Sequence, residues 1–156
     1  MTTRADIAVA TGMEAMARRF HERQLQDAPE RIAALIHPEA EMTLVVNDFG
    51  SVQGRDQIVA LLGEARQRMI YSAWVERCER IDETTLLLRG QARYPLERGL
   101  AHSTVYWLDS FQDELLWRVQ AFRTETEARA AYESQQSASS PASEEGEGRV
   151  EPLQER

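Results

Sequence analysis

From Ser72 to Arg123 the chain reads SAWVERCERIDETTLLLRGQARYPLERGLAHSTVYWLDSFQDELLWRVQAFR, and this stretch decides the fold. Apolar and polar residues take turns along it, the period of a half-buried strand, in four runs: Ser72–Ile81, Thr85–Tyr94, His102–Phe111 and Leu115–Arg123. Asp-Glu, Pro-Leu-Glu-Arg-Gly and Gln-Asp-Glu turn signals separate them. Links that short join antiparallel neighbours, so the four strands form a meander.

Upstream of Ser72 the period is mostly helical. Met13, Met16, Ala17 and Phe20 make an apolar stripe on a helix expected from about Arg4 to Leu25. Asp27-Ala-Pro-Glu30 carries the residues of a capping box and predicts a second helix with Ile32, Leu35 and Ile36 inside, stopped at Pro38. Glu41 to Asn47 alternates as a strand, and Gly50 and Gly54 bracket a turn and a short extended piece. From about Arg55 a third helix follows, with Ile58, Leu61, Leu62, Ala65 and Met69 on one stripe. After the meander, Glu125–Glu133 predicts a closing helical turn or two. Helices first and a meander afterwards is an α+β layout, with helices on one face of a curved, mostly antiparallel sheet. Residues 1–133 form the expected domain. Residues 134–156 are Ser, Glu, Gln, Gly and Pro with little apolar content, and predict a disordered acidic tail.

Composition narrows the function. With 156 residues, one domain is expected. The formal charge is −8, and every one of the 18 cationic residues is arginine, scattered among glutamates. No basic face is expected, and so no nucleic-acid partner. The longest apolar runs, such as Ile32–Ile36 and Leu86–Leu88, are too short to span a bilayer, so no membrane association is expected. No signal-peptide core follows Arg4, and Cys78 is the single cysteine, read as a small packing residue; a cytoplasmic location is the expectation. No metal-ligand spacing, phosphate-cradling glycine loop or G-x-S-x-G occurs, so neither metal nor cofactor is expected.

Three segments carry a resemblance. Leu35-Ile-His-Pro-Glu-Ala-Glu41, Gly54-Arg-Asp-Gln-Ile58 and Arg118-Val-Gln-Ala-Phe-Arg-Thr-Glu-Thr-Glu-Ala128 resemble motifs of SnoaL-like and ketosteroid-isomerase-like domains of the nuclear transport factor 2-like superfamily. The likeness covers roughly residues 10 to 130. One departure is Asp113-Glu114, where the last hairpin of the family usually has a glycine. The resemblance implies a cone-shaped barrel with a pocket between sheet and helices. Some relatives use that pocket for proton transfer on steroid- or polyketide-like rings or for epoxide opening. Others do no chemistry and bind or dimerise, so fold alone decides little.

The resemblance also implies site positions. The base of the isomerases lies on or just after strand one; counting forward reaches Leu44, and counting back from Gly54 reaches Asn47 or Asp48. Asp48 is either that acid–base group or a solvated turn aspartate beside Gly50. The oxyanion donor maps to Tyr106, either an inward donor or a tyrosine packed on the sheet. Tyr106 shares a face with His102, Thr104 and Leu108, while Trp107, Asp109 and Phe111 share the other. The apolar content of the two faces does not choose between them, and the resemblance points Tyr106 inward; in the opposite register Trp107 and Asp109 turn inward and Asp109 becomes the candidate acid. Leu115, Trp117, Val119 and Ala121 are expected on an inner face, with Trp117 a ligand wall or core filler. Leu86, Leu88, Gly90, Ala92 and Tyr94 form another inner face, with Tyr94 near the pocket mouth. Arg89, Arg93, Arg118 and Gln120 point to the convex side, where many relatives form a homodimer. His37 is read as helix-terminal and His21 as exposed.

Two functions remain open at this point. One is a cofactor-free pocket protein for a small apolar, ring-bearing metabolite, acting as an isomerase or cyclase. The other is a non-catalytic dimeric module. The cluster Tyr94, Thr104, Tyr106 and Trp117 favours the first, and the absence of a well-placed carboxylate favours the second.

Overall fold

A computed structural model describes residues 4–43, 51–68, 72–95 and 98–138. The elements are α1 (Arg4–Arg23), α2 (Pro29–Ala33), β1 (Ile36–Thr43), β2 (Ser51–Gln53), α3 (Arg55–Arg68), β3 (Ser72–Asp82), β4 (Thr85–Pro95), β5 (Leu100–Gln112), β6 (Leu115–Phe122) and α4 (Glu125–Ala138). The six strands form one curved, unclosed sheet in the order β2-β1-β6-β5-β4-β3. All neighbours are antiparallel except β1 and β6, which run parallel. This is the α+β layout expected from the alternation of Ser72–Arg123, in the cone form that the resemblance implies.

Register fixes which side chains look into the cone. Tyr94 pairs with Ala101, Gly90 with Val105 and Leu88 with Trp107, so the even residues of β4 share a face with the odd residues of β5. That face, with Leu116 and Val119 of β6, meets Met13, Ala17 and Phe20 of α1 and Ile58 and Leu62 of α3 in the main core. Gly90 is required there by space: a Cβ on it would lie 2.6 Å from Cζ3 of Trp107 and 2.3 Å from the carbonyl oxygen of Trp74. The shift in pairing between Val75 and Arg77 opposite Gly90 is a bulge that bends β3 at this point.

Edge strand β3 is closed by α1. Val75 donates its backbone N–H to Oε2 of Glu22 at 2.7 Å, and its carbonyl accepts from Nη1 of Arg18 at 3.1 Å. Two side chains of the helix thus occupy ladder positions a further strand would otherwise fill.

Several local features of the backbone depart from the sequence reading. β1 begins at Ile36, so Pro38 lies inside a strand; the pairing with β6 shifts between Ile36 and Glu41, and a residue without N–H is tolerated where the ladder is broken. His37 is accordingly no helix terminus: its Nδ1 accepts the N–H of Glu39, and its Nε2 lies 3.4 Å from Asp113. The capping box does not form. Ala28 is the N-cap of α2 without a side-chain hydrogen bond, while Asp27 turns back to accept from Arg19 and Arg23 of α1. Finally, α4 continues past residue 133 to Ala138, where Gln135 donates to Gln120 of β6 at 2.7 Å.

α4 lies on the convex face. Its Ala128 and Tyr132 pack with Leu87, Leu108, Ile81, Tyr106 and Phe122, a second apolar cluster on the outer side of the sheet. Arg129 bridges Glu125 and Glu79, and the hydroxyl of Tyr132 donates to Oδ2 of Asp82 at 2.6 Å.

Candidate functional site

The inner face of β5 reads Val105, Trp107, Asp109, Phe111, three apolar side chains and one carboxylate. Asp109 is fully buried, and its partner is His21 of α1, whose Nε2 lies 2.8 Å from Oδ2. With the carboxylate ionised, Nε2–H is the donor. The imidazole stacks on Trp107 at 4.2 Å between centroids and meets Phe20 edge-on at 5.3 Å. Helix spacing brings it there: His21 follows Ala17 by four residues and precedes Gln24 by three, on the buried side of α1. The second carboxylate oxygen, Oδ1 of Asp109, is buried without a hydrogen-bond partner. A buried acceptor left unmatched costs stability and needs a reason.

The same side of the sheet ends in a groove of about 550 Å3. Gly12, Met13 and Met16 of α1 form one wall, the β3–β4 turn brings Glu83 and Thr84, and the β5–β6 hairpin brings Phe111 to Glu114. Met13 and Phe111 belong to the main core, so the groove floor is the edge of that core. Phe111 stands two residues from Asp109 on one face of β5, a rise of roughly 7 Å. The hairpin itself turns through Asp113 and Glu114, both left-handed at φ 55° and 65°. A two-residue turn of that hand matches the strand twist, and glycine or asparagine usually takes it.

The residues named from the sequence divide between the two faces. Tyr94 and Val119 lie inward. Val119 is buried in the core, and the hydroxyl of Tyr94 is 3.3 Å from Oγ of Ser103. His102, Thr104 and Tyr106 lie outward, contrary to the expected register. His102 touches Trp74, Thr104 bonds Gln91, and Tyr106 packs in the cluster under α4. Trp117 is outward as well. Pairing with β5 jumps from Phe111–Leu116 to Ser110–Arg118, so Trp117 is the extra residue of a bulge. Its ring carries the guanidinium of Arg118 at 4.8 Å, and both line an outer cleft of about 480 Å3 beside Gln135. Asp48 lies outside the described residues.

His21, read as exposed, is the functional candidate that sequence reasoning missed. Asp109 is the acid that the sequence offers once Tyr106 faces outward, and the register puts it inward. Cys78 is unsuited to nucleophilic chemistry: burial, together with the carboxylates of Glu14 and Asp109, pushes its thiol up to about 12, with Arg18 opposing. Among the described residues, no group of three or more His, Cys, Asp or Glu side chains is arranged to hold a metal ion. No described helix is long and apolar enough to cross a membrane.

Neither a protein-family model nor a curated relative matches this sequence. Solved structures do match. A nuclear transport factor 2-like protein of unknown function from Cytophaga hutchinsonii aligns with TM-score 0.57 at 13% identity, over 71% of this chain and 95% of its own. An epoxide hydrolase from M. tuberculosis aligns with TM-score 0.60 at 13% identity, over 73% and 79%. An epoxide hydrolase/cyclase-like enzyme of pyran-ring formation in the polyether salinomycin aligns with TM-score 0.60 at 9% identity, over 75% and 94%. Identities this low speak for the fold and leave the chemistry open. The curved six-stranded sheet, its helices and these neighbours together give the chain the cone fold of the nuclear transport factor 2-like superfamily.

Proposed function

We propose that the protein binds a small, mainly apolar, ring-bearing molecule at the hairpin end of the cone, and that the His21–Asp109 pair meets a polar group of that ligand. The observation that carries this reading is the unpartnered Oδ1 of Asp109, buried in the same inner layer as Phe111 at the groove floor. Asp109 does not line the groove itself, so the ligand is one whose hydroxyl or enol reaches inward past Phe111 to supply the missing donor. An ionised carboxylate held by an imidazole is also a suitable acid–base group for an isomerase or cyclase that moves a proton beside a carbonyl. In this reading His21 is a positioning residue for Asp109. The set proposed for chemistry therefore moves from Tyr106 and Asp48 to Asp109 and His21, with the groove side chains Met13, Met16 and Phe111 as the ligand wall.

The test is a panel of ring-bearing ketones and hydroxy compounds, followed by methyl signals of labelled methionines. Ligands should shift Met13 and Met16, and Met16→Trp, which fills the groove, should abolish binding. Asp109→Asn keeps the shape; turnover should drop on the order of 10²-fold or more while binding persists. Turnover unchanged by Asp109→Asn would make the pair structural and end the catalytic part of the reading.

A homodimer through the outer sheet face is a second reading with its own support. Trp74 at 39% exposure and Leu100 at 53% are the exposed large apolar side chains among the described residues. Trp74 stands on the part of the convex face that α4 leaves uncovered, beside His102. Tryptophan in such a place is typical of an interface core.

A further inference from the structure

The groove between α1 and the two hairpins has an apolar floor and an acidic rim, and from that juxtaposition we infer that its ligand carries a cationic group at the solvent end, an ammonium or guanidinium on an apolar body. The inference rests on the groove being a ligand site.

The floor is Met13, Met16 and Phe111. Unbranched thioether side chains adapt to an apolar guest, and an aromatic face attracts a cation as well. The titratable side chains described along the groove are Glu83, Asp113 and Glu114, all exposed carboxylates, and no arginine is among them. This matters in a chain with 18 arginines, whose guanidinium groups bridge Glu76, Glu79 and Glu125 of β3 and α4. Among the described residues, the ion-pair partner of Asp113 is His37 at 3.4 Å, with no arginine beside it. The three acids sit on two separate turns, at the ends of β3 and β5, so their charges converge on one opening from different sides.

The same charges argue against other occupants. Residues 139–156 of this chain hold Glu144, Glu145, Glu147, Glu151 and Glu155 against Arg149 and Arg156, a net negative segment that the rim repels. An anionic metabolite is disfavoured for the same reason. A cation gains from each carboxylate, though exposure and salt hold each gain small.

Phenyltrimethylammonium and its neutral isostere tert-butylbenzene differ mainly in charge, and benzenesulfonate supplies the opposite sign. Titrated into the full chain at low salt and followed at the Met13 and Met16 methyl signals, the cation should bind about five- to tenfold tighter than the neutral compound. Benzenesulfonate should bind more weakly than either. The advantage of the cation should shrink as salt rises toward the 0.5 M range, on the order of a few ångströms of screening length. The combined variant Glu83→Gln/Asp113→Asn/Glu114→Gln should erase the preference and leave the neutral compound binding as before. Equal affinity for cation and neutral isostere, or a preference that survives in the triple variant, overturns the inference while leaving the groove a ligand site. Failure of all three compounds to move either methyl signal overturns the groove as a site, and this inference with it.

Discussion

Asp109 and His21 place two polar groups in a core whose other members are mostly aliphatic and aromatic. Breaking such a pair differs from replacing it. Asp109→Ala should destabilise by about 3–5 kcal/mol, because the imidazole loses its partner in a low-dielectric interior. The double change His21→Leu/Asp109→Leu should be neutral or stabilising, because both desolvation costs vanish together. Chemical denaturation of the three proteins decides it; a double variant as damaged as the single one would show that the pair is a net source of stability. A second expectation concerns the β5–β6 turn. Glu114 holds a left-handed backbone without help from glycine, so Glu114→Gly should raise stability by about 1 kcal/mol in the same measurement. His21 could have been found from sequence. It sits at the margin of the stripe of Met13, Ala17 and Phe20, and only its neighbours Arg18, Arg19 and Glu22 made that margin look solvated.

Among the elements, β5 shows what alternation can and cannot reveal. Strand existence was legible, because both faces of Leu100–Gln112 carry large apolar residues at period two. Facing was not, because α4 covers the outer side and Tyr106 and Leu108 are apolar for that reason. The hairpin between β4 and β5 held the answer. Pairing of Pro95 with Leu100 sets Tyr94 against Ala101, and the inward set Val105, Trp107, Asp109 follows by counting. α4 itself reads as a short helical ending from composition, since nothing in its sequence names Asp82 as its anchor. That anchor makes the docking of α4 depend on pH. Partial burial pushes the Asp82 carboxyl up, but hydrogen bonds from Tyr132, Thr84 and Thr85 outweigh it and hold the group below its ordinary 3.8. The hydrogen bond to Asp82, then burial, holds the Tyr132 phenol above its ordinary 10.0. For the acid, the stabilisation is present above its unfolded value and lost as pH falls through the folded one. For the phenol, it is present below its unfolded value and lost as pH rises through the folded one. Hydrogen-exchange protection factors in α4, taken against the intrinsic rate at each pH, should therefore fall below about pH 4 and above about pH 10. Tyr132→Phe should remove the alkaline limb, weaken the acidic one and cost about 1 kcal/mol at neutral pH, after allowance for solvent.

At the scale of the whole molecule, the α+β layout was legible because its determinants are local: alternation, short links and helical stripes earlier in the chain; the cone itself came from the resemblance. The site was not, because His21 and Asp109 are 88 residues apart and meet only when α1 lies down on the sheet. The homodimer proposed for the outer face has a direct check. Trp74→Glu should convert a dimer at micromolar concentration into a monomer in light scattering without altering the unfolding midpoint measured at high dilution. A wild-type monomer in the same measurement would remove the idea. The closure of β3 by α1 bears on a different hazard. Glu22 reaches Val75 across 53 positions of chain, so until that long loop has closed, β3 is a bare margin of unpaired amides and carbonyls. A growing chain whose meander has formed while α1 still wanders offers that margin to any other such chain. Crowded synthesis would then favour strand exchange and fibril seeds, and the two side chains that dock α1 act as a guard against aggregation as much as a support for the native sheet.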